Sequence, residues 1–225
     1  MNKFFIFVLL SYITRSPLLV LVIMLLVLFF TERRFVGILP DIFEPWRRAK
    51  KIRQLKKGIS INPANADSYL ELGEEYFRQG KYEKALSFLE NASGKMEGHP
   101  LFHFLLGSSY YNSGRSKQGK EEFEKEIRAN PKASQGEPYA YLVRIYQEEN
   151  QPDEKTEHVF EQLLLYGSPR IFYKAGRLFL AGNDKKRARR LFRETIESYD
   201  ACRGALRRAN RRWAVLSMIY LKLGA

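Results

Sequence analysis

The stretch Gly114-Arg115-Ser116-Lys117-Gln118-Gly119-Lys120 spells the first seven positions of a phosphate-binding loop, with glycines for the turn and a lysine for the phosphate. The next position is Glu121, where such a loop needs the Ser or Thr that holds magnesium, and a carboxylate there repels phosphate. No strand precedes it, so the match is coincidental. His99 and His103 stand four apart and could share a metal on one helix face, but no acid or thiol lies at ligand spacing. His158 stands alone, and neither a nucleophile elbow nor a zinc-binding helix motif appears. Cys202 is the only cysteine, which excludes an internal disulfide and a thiolate metal cage. An enzyme, a cofactor and a metal centre are therefore not expected.

Charge is the stronger signal. The chain of 225 residues carries 38 Lys/Arg against 25 Asp/Glu, a net +13. Arg47 to Lys57 holds seven cations and no acid, while Lys185 to Arg212 holds eleven cations against Glu194, Glu197 and Asp200. These two segments supply +7 and +8, so the remainder is close to neutral and the basicity is local. In the first, Arg47, Arg48, Lys50 and Lys51 are expected to face anionic lipid headgroups, at about 1 kcal/mol each near a surface. In the second, Arg207, Arg208, Arg211 and Arg212 lie on the polar face of a helix over residues 205–223. Without a recognition motif they point to solvent or lipid rather than to nucleic acid.

A membrane is implied by the elements that precede the first basic run. Phe4 to Phe30 is apolar except at Thr14-Arg15-Ser16-Pro17. A continuous helix would bury Arg15, so the spanning helix is placed at about 16–35, with Pro17 in its first turn, where proline is favoured. Pro17 to Phe30 measures only about 21 Å, short of the ~30 Å hydrocarbon core. Crossing therefore requires the charged turn after Phe30 to snorkel. Residues 4–13 are too short to cross alone and are expected to lie at the interface or re-enter, giving a single-pass or hairpin anchor. Glu32-Arg33-Arg34-Phe35 is no signal-peptide cleavage site. The cations after the anchor outnumber those before it, so the bulk of the chain is expected in the cytoplasm, tethered to the inner membrane. Residues 37–61 form a linker and a basic helix, with Trp46, Ala49, Ile52, Leu55 and Ile59 on one side.

The remaining chain is repetitive. Leu72-Gly73, Tyr76, Gly80, Tyr82, Ala85, Leu89 and Ala92 describe two short antiparallel helices joined at Gly80, with small residues where they cross. Leu106-Gly107, Tyr110, Gly114, Gly119, Phe123 and Glu126 repeat those offsets, as do Ala175-Gly176, Phe179, Asn183, Ala188 and Phe192. Between them, Leu142, Tyr146 and Asn150 keep the pattern, but Lys155 stands where a small residue belongs, so that hairpin is expected to be splayed or shifted by one. This resembles the tetratricopeptide repeat, a helix-turn-helix unit of about 34 residues that stacks into solenoids, in particular its N-terminally membrane-anchored bacterial kind. The fold class is thus all-α: a transmembrane helix, four hairpins over 62–200, and a basic capping helix over 201–225 with Leu206, Trp213, Leu216, Tyr220 and Leu223 on its core side.

The resemblance implies that the first helix of each hairpin lines a concave, partner-binding face. The positions that would face inward are Leu70, Glu74, Phe77 and Arg78, then Phe104, Ser108, Tyr111 and Asn112, then Arg144 and Gln147, and finally Tyr173 and Arg177. Aromatics interleaved with Arg and amides suit an extended protein or peptide segment. The Lys/Asn clamp that some of these proteins use for C-terminal carboxylates is absent, since Leu70, Glu74, Phe104 and Ser108 hold its places. The function expected is a membrane-tethered scaffold or adaptor. The alternative is a permanent structural subunit whose repeats self-associate or bind a neighbouring subunit.

Overall fold

The computed structural model describes residues 17–35, 43–99 and 101–224, and the regular elements among them are all helical. Helices α1 (Pro17–Phe35) and α2 (Glu44–Ile61) precede four antiparallel pairs. These are α3 (Ala66–Arg78) with α4 (Tyr82–Met96), α5 (Phe102–Asn112) with α6 (Ser116–Ala129), α7 (Glu137–Glu148) with α8 (Asp153–Tyr166), and α9 (Pro169–Ala181) with α10 (Lys185–Ala201). Helix α11 (Gly204–Lys222) follows.

One backbone device makes all four turns. Gly80, Gly114, Asn150 and Asn183 adopt positive φ, the conformation that glycine and asparagine tolerate best after a helix. Each donates its N–H to the carbonyl three residues back (Phe77, Tyr111, Gln147, Leu180) at 2.9–3.2 Å. The following residue reaches back five, to Tyr76, Tyr110, Tyr146 and Phe179.

Beyond the turn, small residues let the helices close. A Cβ on Gly73 would stand 2.6 Å from the Leu89 side chain, one on Gly107 2.9 Å from the Phe123 ring, and one on Gly176 2.7 Å from the Phe192 ring. Opposite them are Ala85, Gly119 and Ala188, all buried. Gly119 is itself 2.8 Å, measured from its would-be Cβ, from the Gly107 carbonyl. The apparent phosphate loop is therefore the turn and crossing of the second pair.

The third pair differs by one residue. In the other three, the second helix begins two residues after the turn residue, whereas α8 begins three after Asn150 because Pro152 is interposed. The small position accordingly falls on Thr156, which is buried, and Lys155 is exposed. The Thr156 hydroxyl donates to the Pro152 carbonyl at 3.3 Å. Val143 takes the place of the crossing glycine and is fully buried. With two branched side chains at the crossing, this pair is the loosest of the four.

The core divides along this pair. Leu142 and Ile145 join the cluster built on Leu72, Leu89, Phe104 and Phe123. Tyr139, Val143, Phe160 and Leu163 join the cluster of Phe172, Phe179, Leu191 and Phe192. At the entry to α7 the backbone is left-handed at three successive residues, Ser134, Gln135 and Gly136. The Ser134 hydroxyl donates to the buried Glu126 carboxyl at 2.6 Å. Burial pushes that carboxyl up to about 7.

The two flanking helices depart from expectation in detail. Ile52, Leu55 and Ile59 of α2 pack against the first pair, but its cations do not all face outward. Lys51 lies 3.0 Å from Glu71 and 3.2 Å from Glu75 on α3. Burial works against the Lys51 ammonium, yet those two carboxylates hold it above its usual range. Arg48 pairs with Glu44 on its own helix. Of the four cations expected to face lipid, Arg48 and Lys51 are thus engaged by carboxylates of α2 and α3. Lys50 and Arg47 are exposed. On α11, Trp213, Leu216, Tyr220 and Leu221 pack on the core. Leu206 and Leu223 are 66% and 79% exposed, so the covering stripe is shorter than the sequence implied.

Among the described residues no helix is long and apolar enough to cross a membrane. The apolar run of α1 ends at Phe30, and Glu32, Arg33 and Arg34 fall in its last turn. Residues 4–13 and most of the linker, 36–42, lie outside the described residues.

Candidate partner-binding groove

The first helices α3, α7 and α9, together with the start of α4, enclose a groove of about 420 Å³. Phe77 and Tyr82 line one side, Glu137 and Tyr141 the floor, and Lys174, Arg177 and Leu178 the other side. The aromatic wall is continuous beneath the surface. Phe77 meets Tyr82 at 5.7 Å and Phe104 at 6.4 Å between ring centroids. Tyr141 stacks on Phe123 at 5.0 Å and meets Tyr111 edge-on at 5.3 Å. Burial pushes the Tyr141 phenol above its ordinary range, so it stays a neutral hydrogen-bonding group at any physiological pH. Across the groove the Lys174 ammonium binds both carboxylate oxygens of Glu137, at 2.8 and 3.0 Å. Arg177 is exposed at the mouth.

The twelve positions expected to face a partner divide into three groups. Phe77 and Arg177 line the groove. Leu70, Phe104, Ser108 and Tyr173 are buried and hold neighbouring helices together. The others sit around the groove or are used between repeats. Arg78 pairs with Glu74 on its own helix, and Asn112, exposed, donates to the Ser108 carbonyl at 2.7 Å. Tyr111 donates its hydroxyl to Glu148 at 2.8 Å, and Arg144 approaches the same carboxylate at 3.5 Å. Gln147 donates to Asp184 at 2.8 Å, and Arg187 bridges Asp184 at 3.0 Å and Glu157 at 2.9 Å. Although burial opposes it, the Arg187 N–H and guanidinium and the Gln147 amide hold the Asp184 carboxyl below its usual range. This belt ties the second, third and fourth pairs together.

Sequence inspection missed Glu137, Tyr141 and Lys174. Glu137 lies seven residues before Arg144 and Lys174 three before Arg177, spacings that share a helix face. The signal was present for both. Tyr141 carried none, because its exposure depends on how the third pair is set. His103, which stood without a sequence-adjacent acid, is 2.7 Å from Glu122 across the second pair. Among the described residues no group of three or more His, Cys, Asp or Glu side chains could hold a metal.

The class this geometry defines is a solenoid of helical hairpins with a concave aromatic and charged face, the architecture of protein–protein interaction scaffolds. Tetratricopeptide repeat profiles match residues 55–87, 102–132 and 171–201, so the chain carries tetratricopeptide repeats in these segments. The first match begins inside α2, and none includes the third hairpin or any residue before 55. A Drosophila melanogaster protein described as "BBSome complex member BBS4 homolog" is 21% identical over 173 residues, covering 71% of this chain and 35% of that protein. The chain thus spans about a third of that relative's length. A thermophilic tetratricopeptide repeat protein of Thermus thermophilus, TTC0263, superposes with a TM-score of 0.55 at 14% identity, covering 79% of this chain and 94% of the other. A crystal structure of MamA gives 0.52 at 19%, covering 72% and 97%. These structures share the solenoid fold.

Proposed function

We propose that this chain is a tethered scaffold whose concave groove takes an extended segment of a partner protein. The observation that carries the proposal is the convergence of Phe77, Tyr82, Glu137, Tyr141, Lys174 and Arg177 from three hairpins on one open groove. Rings supply contact area at low entropic cost, and the Lys174–Glu137 pair with Arg177 supplies fixed donors and an acceptor for register. The segment would be extended, because it must reach side chains presented by α3, α7 and α9. Photo-crosslinkers placed at Phe77 and Arg177 in cells should give the same discrete adduct, and Arg177→Glu should abolish the adduct formed from Phe77. A crosslinker at Ser87, on the exposed face of α4, should give none. Equal adducts from all three positions would remove the groove from the account.

Membrane tethering belongs to the same proposal. It is supported by the apolar sequence Phe4 to Phe30 and by the exposed Leu18, Leu21, Val22, Leu25 and Leu26 of α1. The cations that follow favour the cytoplasmic side of an inner membrane. The full chain should resist alkaline extraction from membranes, and deletion of residues 1–30 should release it. A permanent structural subunit is the second reading. It is favoured by the exposed Met218, Ile219 and Leu223 at the end of the stack, and the Drosophila relative's description names that protein a complex member. Assembly of the detergent-solubilised chain that persists on dilution would select it.

A further inference from the structure

Away from the groove, α8 and α10 frame a hollow of about 580 Å³ whose lining holds five cations against the single carboxylate of Glu157. Its volume is that of a small-ligand site. The cations are of two kinds. Arg187 and Arg190 are held in place: Arg187 pairs with Asp184 and Glu157, and Arg190 with Glu157 and Glu161 at 3.4 and 2.9 Å. Both guanidinium groups lie over the Phe160 ring, 5.6 and 5.3 Å from its centre. Arg189 is tied to the Gly224 carbonyl at 3.2 Å. The side chains of Lys186 and Arg193, by contrast, have no hydrogen bond or ion pair among the described residues. They stand seven residues apart on the same exposed face of α10, with Arg189 and Arg190 between them.

Like charges three and four residues apart on a helix repel. Asp184, Glu157 and Glu161 relieve only part of this repulsion and leave an excess of two positive charges among the five, so the hollow is electrostatically incomplete. We propose that it binds a compact group carrying two or more phosphates, either free or as a lipid headgroup. The buttressed Arg187 and Arg190 present a rigid floor of donors, and Lys186 and Arg193 close on the anion from the rim. Guanidinium forks suit phosphate oxygens in pairs. A singly charged anion would leave half of that excess unrelieved. Single-stranded nucleic acid fits poorly, because it needs rings on which bases stack. The one ring here, Phe160, is fully buried beneath the guanidinium groups. This inference is independent of the concave groove.

The test uses the full chain in detergent, titrated calorimetrically with inorganic tripolyphosphate, and separately with mixed micelles containing a phosphatidylinositol bisphosphate. Saturation at a single site by either probe is expected. Lys186→Gln with Arg193→Gln should weaken it by about a hundredfold, and Arg208→Gln with Arg212→Gln should leave it nearly unchanged. Saturation by tripolyphosphate identifies a free ligand; saturation by the micelles alone identifies a headgroup. Thermal unfolding of both variants checks that the substitutions leave the fold intact. Equal loss in the two double variants would reduce the effect to bulk charge and overturn the site. So would failure of both probes to saturate, or displacement of the bound probe by a poly-uridine RNA in preference to tripolyphosphate.

Discussion

The first hairpin and the third are built on the same turn and reach closure by different means. In the first, Gly73 and Ala85 remove side-chain volume at the crossing and the helices meet almost backbone to backbone. In the third, Val143 and Thr156 fill the crossing, Pro152 adds a residue to the turn, and both branched side chains are still buried. The turn hydrogen bonds of Asn150 and Gln151 match those of Gly80 and Lys81. What a hairpin of this kind requires is therefore the left-handed turn residue and an apolar face in the right phase. The small pair governs how close the helices come. The looser third pair is also the one that contributes to both core clusters and places Glu137 and Tyr141 in the groove.

That contrast can be broken most forcefully at the turn. Deleting Lys81 would rotate α4 by about 100° and carry Ala85, Leu89 and Ala92 off the core. The expected loss exceeds about 4 kcal/mol, read as disappearance of the cooperative thermal transition. Gly73→Leu leaves the turn intact and overfills the crossing against Leu89, with an expected loss of about 3 kcal/mol. Unchanged unfolding would mean that the helices do not meet at that glycine.

A smaller effect is expected at the join between the tight second pair and the loose third. Glu126 occupies the place that Ala92 holds in the first hairpin, and its folded-state carboxyl titrates at about 7 against an ordinary 4.5. Between those values the unfolded chain has released the proton and the folded chain has not. Stability should therefore fall as pH rises from about 4.5 to about 7 and then level off. Glu126→Gln keeps an acceptor for Ser134, should flatten that slope, and should stabilise the protein at pH 8 by about 1–3 kcal/mol. A variant with the wild-type slope would place the titration elsewhere. The smallest effect is the most discriminating. Deleting Pro152 gives the third turn the length of the other three and brings Thr156 to the standard offset, so stability should change by less than about 1 kcal/mol. Collapse comparable to that of the Lys81 deletion would show that the extra residue is essential to the third pair.

The hairpins with a Gly/Ala or Gly/Gly crossing were legible because spacing alone fixes them: residues twelve apart, flanking a turn residue, have one packing solution. The third was legible only as an alternative, since counting twelve from Val143 lands on Lys155, and the structure shows the one-residue shift. Groove residues were harder to read. Leu70, Phe104, Ser108 and Tyr173 lie on the concave side of their helices, but the adjacent helix covers them, and a sequence pattern gives the face of a helix without the neighbour's position. Lys51 shows the same limit for charge, because the carboxylates that capture it lie 20 and 24 residues away in the chain.

The most direct test is hydrogen–deuterium exchange of the full chain, resolved to segments, because the groove exists only if the third pair stands in the stack. Protection at Ile145, Tyr146, Thr156 and Phe160 should exceed that of the surrounding turns and approach that of Tyr76 and Leu89 in the first hairpin. If residues 137–166 exchange like a loop while 66–96 and 169–201 remain protected, the solenoid is interrupted there. Glu137 and Tyr141 then leave the groove, and the scaffold reading fails with them.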